Sequence, residues 1–237
     1  MITHDDQLLV PQQQNELDRT LARLLKGEPL PYILGKQEFF GLEFSVNPGV
    51  LIPRPETERL IELTLEWLKI HPEARHGMDI GTGSGCIAIT LCKQRPDLQI
   101  IAVDISPKAL LTAQENADHH QVTQQVIFIQ ADLLPSSMPT PDFLCANLPY
   151  IPEGRLADLQ AAQHEPILAL AGGEDGFGLI SRLFNMLKPY PIPFMIFEMD
   201  DTHASLALPA AKTAFPNAQI SVQPDLTERE RFLVIEH

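Results

Sequence analysis

The sequence predicts an α/β protein: a seven-stranded, Rossmann-like, mainly parallel sheet preceded by a short N-terminal helix and a β-hairpin. Two observations carry this. From residue 78 onward, short apolar runs alternate with helical stretches, the rhythm of βα units. The turn Gly81-Thr82-Gly83-Ser84-Gly85 joins the first of those runs to an apolar helix, as glycine-rich turns do in doubly wound sheets.

The predicted strands are 78–80, 99–103, 126–129, 143–146, 194–197, 219–222 and 232–235, with helices over 85–94, 107–119 and 177–188. The proline-rich stretch from Pro149 to Pro166 has no clear pattern. Ahead of the sheet, residues 12–27 read as an amphipathic helix with Leu17, Leu21, Leu24 and Leu25 on one face and Gly27 placed to end it. The stretch Phe39 to Val46, with Gly41 near its centre, reads as a hairpin. Pro53-Arg54-Pro55-Glu56-Thr57-Glu58 opens a helix to about Lys69, since proline and acidic residues suit a first turn. Leu60, Ile61, Leu63, Leu65, Trp67 and Leu68 cover most of its circumference, so it should be largely buried. The domain division is 1–50, a truncated N-terminal helix and hairpin, and 51–237, the main domain.

Length and charge narrow the function. A chain of 237 residues holds one good core with a small appendage. A net charge of -14 repels the phosphate backbone unless basic residues gather on one face, so no direct nucleic-acid partner is expected. The start, Met1 to Asp6, has neither the basic nor the apolar part of a signal peptide, and no stretch is apolar enough to span a membrane. A cytoplasmic monomer is the expectation. Cys86, Cys92 and Cys145 read as core residues rather than disulfide partners or zinc ligands, and no metal site is expected.

Three segments build a candidate cofactor site. Glycines in the Asp79 to Gly85 turn let backbone approach a ligand closely. The plain reading is a tight turn or a dinucleotide site, but the latter needs a third glycine where Cys86 stands. Asp104, at the end of the apolar run Ile100 to Val103 and beside Ile105, can accept hydrogen bonds from both hydroxyls of a ribose. Ser106 is better placed than Asp104 to cap the following helix. Asp132 can reach an adenine amino group and Leu133 can cover the ring. Together these segments resemble the three successive S-adenosyl-L-methionine motifs of the seven-stranded methyltransferases, which implies that cofactor, with S-adenosyl-L-homocysteine as product, and the ligands Asp79, Gly81, Thr82, Gly83, Ser84, Gly85, Asp104, Ile105, Asp132, Leu133 and Asn147.

Asn147-Leu148-Pro149-Tyr150 follows the fourth strand, at a crevice position for ligands. It resembles the [D/N]-P-P-[Y/F/W] motif of enzymes that methylate nitrogens conjugated to a π system. Such a nitrogen is a poor nucleophile: an amide must give up part of the resonance behind its rotational barrier of roughly 18–20 kcal/mol. The mechanism read from these residues has the Asn147 side-chain oxygen and the residue-148 carbonyl accept the two N–H bonds of the acceptor, while Tyr150 supplies a flat wall.

Further segments narrow the resemblance. Leu51 to Glu58, Gly81 to Gly85, Ala102 to Pro107, Glu165-Pro166, Ala169 to Gly176, Asp225-Leu226 and Arg229 to Arg231 together are similar to the glutamine methyltransferases of peptide-chain release factors, from Gly27 to the C-terminus. The resemblance implies a class I release factor as partner and the glutamine of its Gly-Gly-Gln tripeptide as acceptor. Pro53, Arg54 and Glu56 are then read as closing over the acceptor pocket, with the 165–176 segment shaping it. The chain departs from the family in three places. Leu148 stands where proline is usual and can supply the same backbone carbonyl. One N-terminal helix stands where the family has several. Met199-Asp200 follows Glu198 where a glycine is usual. The rival readings are an rRNA adenine methyltransferase, a ribosomal-protein glutamine methyltransferase and a non-catalytic adenosylmethionine-binding protein.

Overall fold

A computed structural model describes residues 9–237; residues 1–6, read above for a leader, lie outside them. Helix α1, Pro11–Leu24, begins with proline where a missing N–H costs nothing, and Gly27 takes the left-handed conformation (φ 85°) just past its end. Its leucine face is exposed, with Leu17, Leu21, Leu24 and Leu25 all open to solvent. A five-residue helix absent from the sequence reading, α2 (Leu30–Leu34), follows and buries Tyr32.

The hairpin pairs β1 (Lys36–Phe39) with β2 (Leu42–Ser45) across a turn in which Phe40 and Gly41 both have positive φ. The Phe40 N–H donates to Glu58 Oε1 at 2.8 Å, which ties the turn to the main domain. Phe39 and Phe44 point inward and meet edge to face. A 3₁₀ turn over Pro55–Thr57 leads into α3 (Glu58–Ile70), which buries Leu60, Ile61, Thr64, Trp67 and Leu68.

The main sheet contains β3 (His76–Ile80), β4 (Gln99–Asp104), β5 (Val126–Gln130), β6 (Phe143–Asn147), β7 (Phe194–Glu198), β8 (Gln219–Pro224) and β9 (Glu230–Glu236). Its order is β5-β4-β3-β6-β7-β9-β8, parallel except for β9, which runs antiparallel to both neighbours. These are the seven strands expected. Helices α4 (Cys86–Gln94) and α5 (Pro107–His119) pack with α3 on one face; Phe143, Phe194, Ile89 and Leu91 fill that layer. Short helix α6 (Glu153–Leu156) lies in the proline-rich stretch. Helices α7 (Gly178–Leu187) and α8 (Ala204–Ala214) cover the other face, where Phe184, Phe197 and Leu233 meet. The sequence reading missed α8 because Pro209 stands inside it and its buried positions, Ala207 and Ala211, are too small to make an apolar stripe.

All three cysteines are free and buried in the sheet layers. Burial pushes the Cys86 thiol up to about 12, so at neutral pH it is a small apolar side chain.

Candidate active site

The strand order reverses between β3 and β6, and the chain from each leaves the same end of the sheet. At such a switch point the loops part and leave a crevice. A cavity of about 290 Å³ opens there, with Gly81, Gly83, Asp104, Ile105, Leu133, Asn147 and Leu148 in its wall.

On the β3 side the wall is made of backbone. The Gly81 and Thr82 amides donate to the Val103 carbonyl at 2.8 and 2.9 Å, and Gly81, Gly83 and Gly85 all have positive φ. A Cβ on Gly85 would stand 2.8 Å from Ile89 and 3.1 Å from Ala113, so only glycine lets α4 and α5 close up behind the loop. Asp104 accepts from the Gly83 amide through Oδ2 (2.9 Å) and from the Ser106 amide through Oδ1 (2.8 Å). Each oxygen keeps a lone pair for another donor. Burial raises the Asp104 carboxyl above its ordinary value, opposed by those amides. Ser106, not Asp104, caps α5, accepting from the Ala109 amide.

Asp79, Thr82, Ser84 and Gly85 stand behind this loop rather than on the cavity wall. Asp79 is fully buried; its Oδ2 accepts from the Thr82 hydroxyl (2.7 Å) and the Ala88 amide (3.3 Å), while Oδ1 has no partner among the described residues. Burial pushes its carboxyl up to about 7. Its place is that of a pin between the loop and α4. On the third strand's side, Leu133 is buried with φ 67°, and Asp132 is half-exposed and paired with Arg182 at 2.8 Å. Arg182 was not foreseen; it comes from α7, remote in sequence.

The acceptor side is made of side chains. Asn147 Nδ2 donates to Thr57 Oγ1 at 3.0 Å and to Glu198 Oε2 at 2.9 Å. The Thr57 hydroxyl donates to the same Oε2 at 2.7 Å, and the Tyr150 hydroxyl to Oε1 at 3.3 Å. Glu198 is 1% exposed, and burial pushes its carboxyl up to about 7. Burial likewise raises the Tyr150 phenol, so Tyr150 stays a neutral donor. With Nδ2 turned to Thr57 and Glu198, Oδ1 has no partner among the described residues and is the group left to face the cavity. Leu148 is buried, and its Cδ2 would stand 3.0 Å from a Cβ on Gly81.

Around this pair the loops interlock. Glu165 is buried; it accepts from the Ile52 amide at 3.0 Å and pairs with Arg54. That contact ties the 52–54 segment to the far wall, where Pro166 and Ala169 line the cavity. Pro53 and Arg54 instead face a second, shallower groove of about 520 Å³, shared with Leu24, Pro31, Gln160 and His164. Glu56 is exposed and lines neither. Gly172 packs on the Pro149 carbonyl and the Tyr150 Cα, and Ile151 bridges to Ala171, so the 169–176 segment sets the position of Pro149-Tyr150. After Glu198, Asp200 closes the loop by accepting from Thr202 and Arg155.

The sequence reading left out Thr57 and Glu198 as functional groups. The signal for Glu198 was a lone carboxylate at the end of the apolar run Phe194 to Phe197.

A family model described as Methyltransferase small domain matches residues 56–165, and one described as PrmC N-terminal domain matches residues 1–35. A release factor glutamine methyltransferase of Koribacter versatilis is 40% identical over 238 residues, covering 99% of this chain and 84% of that one. One of Nitratidesulfovibrio vulgaris is 45% identical over 185 residues; the match covers 75% of this chain and 62% of that protein. The hMettl16 catalytic domain has the same fold, with a TM-score of 0.71, 15% identity, and coverage of 87% of this chain and 81% of its own.

Proposed function

Because the chain belongs to the release factor glutamine methyltransferase family, we propose that it methylates the side-chain amide nitrogen of the glutamine in the Gly-Gly-Gln tripeptide of a class I peptide-chain release factor. It is a methyltransferase of the S-adenosylmethionine-dependent kind. The observation that carries the acceptor reading is the Asn147 amide nitrogen turned to Thr57 and Glu198, which leaves Oδ1 as an acceptor at the cavity.

The cavity's donors and acceptors fit adenosylmethionine. Asp104 keeps a lone pair on each oxygen, matching the two ribose hydroxyls. Around Gly83, a Cβ would find no atom nearer than the Gly81 carbonyl at 3.9 Å, so the loop leaves room for a ligand. Ile105 and Leu133 provide apolar surface for a ring, and Gly81, Gly83 and Asn147 would flank the rest. When bound, the cofactor supplies an electrophilic methyl group on sulfur and leaves as S-adenosyl-L-homocysteine. In this reading Asp79, Thr82, Ser84 and Gly85 shape the loop, and Asp132, held by Arg182, borders the adenine.

The chain's own residues do the positioning. Asn147 Oδ1 takes one N–H of the substrate amide and the Leu148 carbonyl takes the other; that carbonyl accepts no hydrogen bond among the described residues. Both acceptors favour positive charge on nitrogen as its lone pair is drawn out of conjugation. Holding the nitrogen in line supplies on the order of 7–11 kcal/mol of the barrier lowering. Tyr150, anchored through its hydroxyl, forms the flat wall, and leucine at 148 serves because the working group there is backbone. Pro53 and Arg54, which line the neighbouring groove, would meet the release factor beside the cavity rather than close over the tripeptide.

The reading divides the chain into residues 1–50, which grip the substrate protein, and a catalytic domain over 51–237, with the hairpin docked on the latter through Phe39 and Phe44. Among the described residues no helix is long and apolar enough to cross a membrane, and we place the enzyme in the cytoplasm, where release factors act. Incubating the enzyme with adenosylmethionine and a purified class I release factor, then mapping peptides by mass spectrometry, should show one added methyl on the Gly-Gly-Gln glutamine. Methylation of purified ribosomal RNA or a ribosomal protein instead, or binding of the cofactor without turnover, would replace this reading with one of its rivals.

A further inference from the structure

Resting on the glutamine reading, we propose that Glu198 is the positioning residue of the acceptor site: it locks the Asn147 amide with Oδ1 toward the cavity, so that the site takes a substrate NH₂ and refuses a carboxylate.

Asn147 and Glu198 are directly in register on the parallel strands β6 and β7, which puts their side chains on the same face at the same end of the sheet. Three donors converge on Glu198: Asn147 Nδ2 and the Thr57 hydroxyl on Oε2, and the Tyr150 hydroxyl on Oε1. An ionised carboxylate only accepts, so the side of the Asn147 amide turned to it must be the nitrogen. Thr57 closes the triangle, since its oxygen also accepts from Nδ2 while its own hydrogen goes to Glu198. Turned the other way, the amide would present no donor to Glu198. Flipped, it would set an oxygen 2.9 Å from a carboxylate oxygen.

The selectivity follows from the locked orientation. A substrate amide donates to Oδ1; a glutamate side chain in the same place would oppose two acceptors and lose its hydration, which costs far more than a missing methylene does. The charged and titratable groups facing Glu198 are Arg231 from β9, Tyr150, Glu56 ahead of α3, and the Cys86 thiol at the start of α4. Arg231 favours the carboxylate and Glu56 opposes it, while burial is the larger influence and brings the group's titration to about 7. Protonation of Glu198 removes the negative charge that Nδ2 faces and so weakens that hold.

The test compares the wild type with Glu198→Gln and Thr57→Val on a purified release factor across pH. The wild type should lose kcat as pH falls below about 7. Glu198→Gln should show kcat lowered about tenfold to a hundredfold, the range for a partner that orients an active-site ligand, and no limb near 7. Thr57→Val should lose less and keep the limb. A release factor carrying Gly-Gly-Glu should inhibit Glu198→Gln but not the wild type, and adenosylmethionine affinity by calorimetry should be unchanged in both variants, which reports an intact fold. Wild-type kcat with an unaltered limb in Glu198→Gln, or equal inhibition of both proteins by the Gly-Gly-Glu factor, overturns the proposal. A wild type that leaves the release factor unmethylated overturns it together with its premise.

Discussion

The two walls of the cavity are built by different means. Between Gly81 and Ser106 the wall is backbone: amides of the glycine loop and of α5 hold Asp104, and all the parts lie within two consecutive βα units. On the acceptor side, three side chains from two separate segments, Thr57 and the pair Asn147 and Tyr150, meet around the buried carboxylate of Glu198 from a third. Backbone amides do not titrate and cannot be substituted away, so what is vulnerable in the first wall is the carboxylate they hold, Asp104. The second depends on a charge whose burial has brought it within reach of neutral pH. Cofactor affinity should therefore be insensitive to the changes that stop turnover, and the reverse.

The largest effect is expected from Asn147→Ala, which removes an acceptor aimed at the reacting nitrogen. kcat should fall by about 10²–10³, the range for losing one preorganised hydrogen-bonding group, with adenosylmethionine affinity by calorimetry nearly kept. Retained turnover would deny Asn147 its role. Asp104→Ala probes the other wall. Two charge-assisted hydrogen bonds at about 1.5 kcal/mol each amount to roughly a 10²-fold weaker cofactor Kd, and titration calorimetry showing unaltered affinity would mean the ribose lies elsewhere.

Glu165→Ala cuts the link between the 52–54 segment and the far wall, leaving the Ile52 amide and Arg54 without their partner. A loss of about 1–3 kcal/mol in urea-unfolding stability is expected, with the release-factor KM raised more than kcat is lowered. If kcat alone changes, the segment acts on the chemistry rather than on substrate capture.

The smallest and most diagnostic effect concerns Asp79. Its folded-state carboxyl is raised to about 7 by burial, above its unfolded value. A raised value means that the stability contributed is complete below the unfolded pKa and is lost as pH rises through the folded one. Asp79→Asn escapes that loss. The Tm difference between variant and wild type should move in the variant's favour by a few degrees between about pH 5 and about pH 8. A difference constant across that window would show that Asp79 is already charged in the folded protein at its lower end, with its carboxyl not raised.

The sheet was legible in the sequence because each strand is a short apolar run bounded by polar turns, and burial on both faces leaves little other use for such runs. The glycine loop and Asp104 were legible for a related reason: they are close in sequence, and their geometry is imposed locally by positive φ and by a strand end. Helix α8 was not, since alanine contacts and Pro209 erase the periodic signal. Nor was the Asp132–Arg182 pair, whose members lie 50 residues apart.

For the acceptor site, the sequence by itself determined the motif Asn147 to Tyr150 and the chemistry that motif admits. It named the Asn147 oxygen as the end that faces the substrate and did not determine what holds it there. That was decided by the pairing of β6 with β7, which sets Glu198 opposite Asn147, and by the packing of α3, which brings Thr57 to the same carboxylate. The physical reason is that an amide is nearly symmetric in shape and asymmetric in hydrogen bonding, so only its neighbours in space can orient it.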